Sequence, residues 1–320
     1  MFRLPPNHLM THRKTGWDYR RPAWYMVTLT LADRTQNWLG HLEKNPAPID
    51  KSDQWRIELS ALGKIVEECW YDLARQWPGV EVRLRIIMPE HFHGKIHVTT
   101  VQPKPLGNII GSFKSKTTSL ARQLPRDQVP PSLHSASLWT KGFQDSILWT
   151  ENRRERARRY ILDNPRRLAE RQLHPELFKV LRKFEIILPL GDGEVCGFFT
   201  GIGNHRLLEY PSLYQIQCSR SLFRYQCDKY GNPLKEFPPE HITTQFQQLC
   251  QEAFHAVRKG DVVITPCISH GEKEIARQIM AIGGKMIVLK DQGVSPFFKP
   301  AGKLFDYCTE GKLLMIAPAT

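Results

Sequence analysis

The chain has 320 residues, and about two-fifths of them are apolar, which excludes a disordered chain and makes two domains the starting expectation. Lys and Arg number 45 against 32 Asp and Glu, a surplus that favours a polyanionic partner, nucleic acid before an acidic membrane. No apolar stretch reaches the length needed to span a bilayer. The seven cysteines contain no Cys-x-x-Cys pair, so neither a zinc ribbon nor a disulfide framework is signalled, and scattered thiols suit a reducing cytosol.

Residues 1–16, MFRLPPNHLMTHRKTG, lack a signal-peptide apolar core and read as a basic leader. WYMVTLTLA (24–32) is rich in β-branched and aromatic residues and predicts a strand. RIELSALGKIVEECWYDLARQ (56–76) places Leu62, Ile65, Val66, Cys69, Trp70 and Leu73 at helical intervals and predicts a helix. VEVRLRIIM (80–88) and HFHGKIHVT (91–99) follow as two strands joined across Pro89-Glu90. A helix is expected over 106–123, a proline-rich loop over 125–132, short strands between 137 and 149, and a helix over 151–164. The order strand, helix, strand, strand, helix, strand, helix is a split β-α-β-β pattern of ferredoxin-like α+β type, with helices on one sheet face and the other face open.

The texture changes near residue 178. Beyond it, YQIQCSR (214–220) reads as a buried strand, 242–258 as a helix and GDVVITPC (260–267) as a strand. SHGEKE then reads as a loop, IARQIMAIGG as a helix and KMIVLKD (285–291) as a strand. Strand, loop, helix and strand of these lengths make a βαβ unit, which implies a parallel sheet covered on both faces. The expected domains are therefore 1–178 and 179–320.

Chemistry gathers in two places. On a strand, side chains alternate, so His91, His93, Lys95 and His97 share one face. Two imidazoles so spaced fit a shared metal ion, and equally fit two half-exposed histidines on a wet sheet. In RRERARRYILDNPRRLAER (153–171), Tyr160 and Asn164 are four apart and stack on one helical face, bordered by Ala157, Ile161 and Leu168. Pro165 predicts that the helix ends or kinks near Asn164. Asn164 before Pro165 also reads as an N-cap with proline at the first helical position. The surrounding arginines suit a phosphate backbone, or simply a solvated helix face.

His91-Phe92-His93 within MPEHFHG, followed by Tyr160-Ile-Leu-Asp-Asn164-Pro165, resembles the HUH single-strand nucleases with one catalytic tyrosine, nearest to the REP-associated tyrosine transposases. YMVTLTLADR (25–34) and WTKGFQDSILW (139–149) add to the likeness, which spans about residues 15–170. The resemblance implies Tyr160 as the nucleophile on a DNA phosphodiester, leaving a 5′-phosphotyrosine and a free 3′-OH. It implies Mg²⁺ or Mn²⁺ held by His91, His93 and Asn164, and single-stranded DNA bearing hairpins as substrate. Arg153, Arg156, Arg159, Arg166 and Arg167, with Lys114 and Lys116 of GSFKSKTTS, would line the DNA path. A polar helix surface is the plainer reading of both lysines. Glu90 stands where such motifs often carry asparagine, and Phe143 where relatives often carry tyrosine, leaving Tyr160 as the sole nucleophile.

The second half is similar to the Rossmann-like domain of the DNA-processing protein A family over roughly 205–318, on CSR (218–220), GDVVITPCISHGEKEIAR (260–277) and GGKMIVLKD (283–291). That likeness implies a nucleotide or single-stranded DNA pocket at Ser219, Arg220, Ser269, Gly271 and Glu272, beyond the carboxyl ends of the strands. No Walker or Gly-x-Gly-x-x-Gly fingerprint is present, so a phosphate cradle is not claimed, and a structural or DNA-steering appendage is the other reading. The whole then reads as a cytoplasmic, nucleoid-associated DNA strand transferase without a membrane partner, monomer and homodimer both remaining open. A relaxase or rolling-circle replication initiator shares the chemistry but would more naturally bring a helicase module. A domesticated DNA-binding protein that does not cleave is the alternative outside the enzymes.

Overall fold

The structure, a computed structural model of the chain, describes residues 13–49, 53–190, 193–227, 234, 238–291, 293–296 and 298–319. The expected basic leader lies largely outside them. Its contacts divide the chain into two compact units, Met1–Ala169 and Glu170–Thr320. Both mix helices with sheets that contain antiparallel pairs. Among the described residues no helix is long and apolar enough to cross a membrane.

The first unit opens on β1 (Ala23–Thr30), then a two-stranded ribbon of β2 (Gly40–Lys44) and β3 (Trp55–Leu59). It continues through α1 (Ala61–Gln76), β4 (Val80–Met88), β5 (His91–Val98), α2 (Leu106–Ala121), β6 (Gln144–Ile147) and α3 (Glu151–Leu173). Four strands pair in the order β4-β5-β1-β6, every neighbour antiparallel. Period-two burial on β1 sends Tyr25, Val27 and Leu29 into the core and leaves Thr28 on the other face. Phe92, Ile96 and Val98 of β5 join that core, where Trp70 of α1 and Phe113 of α2 close over Phe92 with ring centroids at 4.8 and 5.4 Å. Gly94 lets Trp70 approach, since a Cβ there would stand 2.5 Å from the indole.

Three expectations fail here for identifiable reasons. Residues 56–59 are strand, not helix, because Trp55-Arg56-Ile57-Glu58-Leu59 alternates and pairs with β2; the helix begins only after Ser60, whose side chain accepts from the Gly63 N–H. The second sheet face is not open, since α3 brings Tyr160 against His93. Pro165 does not end α3, which runs on to Leu173 with the proline buried inside it. An amphipathic stripe of Ala157, Ile161, Asn164, Pro165 and Ala169 holds the helix through the one lost N–H bond. The proline-rich loop contains two 3₁₀ turns, Arg126–Gln128 and Pro131–His134.

The second unit follows with α4 (Pro175–Phe178), β7 (Leu181–Leu190), β8 (Gly193–Gly203), β9 (Leu213–Gln215), β10 (Phe223–Arg224), β11 (His241–Ile242) and α5 (Thr244–Lys259). It ends with β12 (Val262–Thr265), α6 (His270–Ala281), β13 (Met286–Leu289), α7 (Lys303–Thr309) and β14 (Leu313–Pro318). Its main sheet has the order β7-β8-β14-β13-β12-β9, with β9, β12, β13 and β14 parallel and β8 and β7 antiparallel at one side. Val263, Met286 and Met315 face the helices, packing with Ile275, Ala276 and Tyr307. Ile264, Ile287 and Leu314 face the other way, against Ile186, Phe199 and Leu207 of β7, β8 and a 3₁₀ turn. SHGEKE is not a loop: Ser269 caps α6, and the helix starts at His270.

Candidate active site

His91 and His93 stand two apart on β5, so the pleat aims both at the face under α3, with ring centroids 4.8 Å apart. Neighbours on both sides hold the strand: Thr30 and Thr28 of β1 lie opposite His91 and His93, and Met88 and Ile86 of β4 do so on the other flank. His93 is buried, and burial depresses its pKa to about 4, so the imidazole is neutral at pH 7. Its Nδ1 pairs with Thr28 Oγ1 at 2.7 Å, while its Nε2 is buried without a hydrogen-bond partner. In the tautomer whose Nδ1–H donates to Thr28, Nε2 keeps a lone pair with no hydrogen-bond partner among the described residues.

Tyr160 of α3 comes edge-on to His93, ring centroids 5.3 Å apart at 73°. The phenol is 41% exposed, so a substrate can reach what a core tyrosine would hide. Asn164, one turn on, is buried, and its Nδ2 donates to the Tyr160 carbonyl at 2.6 Å. That bond commits the amide nitrogen to the helix itself and leaves Oδ1 as the atom available to a cation. The structure thus gathers His91, His93 and Tyr160, with Asn164 one turn on, in the buried stripe of α3.

Among the described residues no three His, Cys, Asp or Glu side chains gather to hold a metal. The buried, unpaired Nε2 of His93 nevertheless fits a metal ligand, because an orphaned buried acceptor costs about 1–3 kcal/mol unless something binds it. Thr28 was missed in the sequence reading; its signal was the alternation of β1, which puts it on the histidine face.

The remaining candidates divide. Arg153, Arg156 and Arg159 are exposed along α3, Arg159 within 3.5 Å of Glu155. Arg166 and Arg167 converge on Asp163, with Nε to carboxylate distances of 2.6 and 3.1 Å. Lys114 donates to the Thr140 and Gly142 carbonyls at 2.8 and 2.9 Å, and burial depresses its pKa. Lys116 pairs with Asp72 of α1 at 2.6 Å, so both lysine head groups are engaged within the fold. His97 stacks on Trp24 with centroids 4.0 Å apart and bonds Glu81, and Lys95 lies over the same indole at 4.6 Å. Phe143 carries Arg13 on its ring at 4.8 Å.

In the second unit, Ser269 and Glu272 form a reciprocal capping box: Ser269 Oγ accepts from the Glu272 N–H, and Glu272 Oε2 accepts from the N–H groups of Ile268 and Ser269. The helix start thus already holds a carboxylate of its own. Gly271 is a packing glycine, where a Cβ would stand 2.3 Å from Cys218 Sγ. Ser219 bonds Ser221, and Arg220 is exposed. The structure brings Ser269, Gly271 and Glu272 together for capping and packing.

No family model matches the chain. A protein of unassigned function from Haemophilus influenzae is 22% identical over 188 residues, covering 52% of this chain and 94% of that protein. A REP-associated tyrosine transposase bound to a REP hairpin overlays 49% of this chain and 73% of its own at 15% identity, with a TM-score of 0.33. A candidate transposase from Deinococcus radiodurans R1 overlays 47% of this chain and 94% of its own at 15% identity, with a TM-score of 0.27. At those values neither overlay bears on mechanism.

Proposed function

We propose that the chain is a tyrosine-dependent, metal-dependent DNA strand transferase of the one-tyrosine HUH type, acting on single-stranded DNA that bears hairpins. The observation that carries the reading is the pairing of an exposed tyrosine with a buried, neutral histidine whose Nε2 has no partner. The strand order β4-β5-β1-β6, with two helices on the core face, supports a ferredoxin-like first domain, which we take through Leu173 so that α3 stays whole and not to 178, since α4 packs on Phe305 of the second unit. Four parallel strands support a Rossmann-like second domain.

In this reading Tyr160 Oη attacks the phosphorus, the bond to the 3′-oxygen breaks, and that oxygen leaves as a 3′-OH. The phosphate stays ester-linked to Tyr160, so the 3′-OH can reverse the step without a nucleotide cofactor. His91, His93 and the Asn164 Oδ1 would hold Mg²⁺ or Mn²⁺, which when bound polarises the scissile phosphate. Burial of His93 keeps its ring a neutral donor, and Asn164, tied to the Tyr160 carbonyl, fixes that turn of α3 beneath the phenol. Exposed arginines along α3 supply positive charge where the backbone would run.

The test incubates the protein with end-labelled hairpin oligonucleotides and Mn²⁺ and follows a covalent adduct on a denaturing gel. An adduct lost in Tyr160→Phe and with chelator is expected. Stable binding across several hairpins without any adduct overturns the transferase reading in favour of a non-cleaving DNA-binding protein.

A further inference from the structure

Trp149 precedes α3 by two residues and is 42% exposed, unusual for an indole of its size. It is braced from within the unit. Trp17 meets it edge-on with centroids 4.5 Å apart, and Lys14 Nζ lies 4.5 Å from its ring centre. Both braces are anchored: Trp17 Nε1 donates to the buried Tyr25 hydroxyl at 3.0 Å, and the Lys14 N–H donates to the Tyr19 hydroxyl at 3.0 Å. On the other side, the Leu148 N–H donates to the Trp24 carbonyl at 2.8 Å and fixes the backbone just before the indole.

We propose that Trp149 is a stacking platform for one unpaired nucleobase of the single strand cut at Tyr160. This rests on the strand-transferase reading and deepens it by naming a contact to a base. A rigid, half-open indole suits the flat face of any base and does not discriminate among them. The cation beside it suits the adjoining phosphate. The platform stands two residues before α3 and the nucleophile is the tenth residue within it, so a helical rise of roughly 14 Å from Glu151 to Tyr160 lies between them. That fixes how far from the scissile phosphate the stacked base lies. The exposed Arg153 and Arg156 occupy the helix between them.

The experiment places 2-aminopurine at successive positions of a hairpin oligonucleotide and titrates it with full-length protein without divalent ion, so that no strand is cut. The expected result is quenching confined to one or two positions on one side of the cleavage point. Trp149→Ala should abolish that quenching and weaken binding at least tenfold, and an abasic residue at that position should erase the difference between variant and wild type. Should Trp149→Ala lack a cooperative thermal transition, Trp149→Leu keeps the apolar bulk without the π face and carries the same readings. Wild-type binding with no position-specific quenching, or with affinity unchanged in the variant, overturns the platform and leaves the transferase standing. A wild-type protein that binds no single-stranded DNA overturns the transferase reading itself.

Discussion

His93 is tied to the fold through one ring nitrogen and idle at the other, and Thr28 decides which is which. Thr28→Val removes the hydroxyl that pairs with Nδ1 while keeping the β-branched shape. The ring then loses its fixed tautomer, and Mn²⁺ affinity, measured by calorimetric titration, is expected to fall 10–100-fold. Stability should drop by about 1–3 kcal/mol from the buried nitrogen left unpaired. Unchanged Mn²⁺ affinity would mean that His93 Nε2 is not a ligand. Asn164→Ala tests the neighbouring group: an undiminished adduct would make Asn164 a brace of α3 and nothing more, whereas a loss rescued by raised Mn²⁺ makes it a ligand.

At the scale of elements, legibility followed how local the signal was. The strands at 80–88 and 91–98 and the helices at 106–121 and 244–259 stood in the sequence because their own residue patterns, β-branched and alternating on the strands and apolar at three and four on the helices, do not depend on distant partners. The pairing of His91 with His93 was likewise legible, since two residues on one strand share a face whatever surrounds them. What failed depended on partners far away in sequence. Strand β3 exists because β2 lies beside it, and α3 passes Pro165 because its apolar stripe is held from outside. The burial of His93 and its bond to Thr28, across a separation of 65, could not be read from either segment alone. Gly94 offers a stability test of this layer: Gly94→Ala puts a methyl group into Trp70 and should cost about 1–3 kcal/mol in chemical denaturation. The arginines of α3 offer a binding test. If exposed side chains meet the backbone, each of Arg153→Ala, Arg156→Ala and Arg159→Ala should lower the slope of log affinity against log salt by about 0.7 for a single strand. Arg166→Ala, whose guanidinium is paired with Asp163, should lower it less. Equal slopes for all four would assign the charge to bulk attraction and not to contacts.

For the whole molecule, each unit has its own core, and in each a strongly shifted buried group titrates in a different range, while burial also lowers His205 of the second unit in the same sense as His93. In the first, His93 has a folded pKa of about 4 against an ordinary 6.5. Between those values the unfolded chain takes up a proton that the folded ring refuses, so stability is lost as pH falls from 6.5 to 4, on the order of 3 kcal/mol. Asp145, raised by burial, works in the opposite sense in the more acid range. In the second unit, burial acts to raise Glu274, but Arg277, Tyr225 and Gln278 all donate to its carboxylate and hold it at about 2. Its contribution is complete above the ordinary 4.5 and is lost as pH falls towards 2. Calorimetry with chelator present should therefore show two transitions that respond to acid in sequence. From pH 7 to pH 5 the transition of the first unit should fall more, and His93→Gln should flatten that change. From pH 5 to pH 3 the transition of the second unit should fall, and Glu274→Gln, already destabilised at pH 7, should remove most of the dependence. Transitions that move together at every pH, in wild type and in both variants, would show that the two units unfold as one.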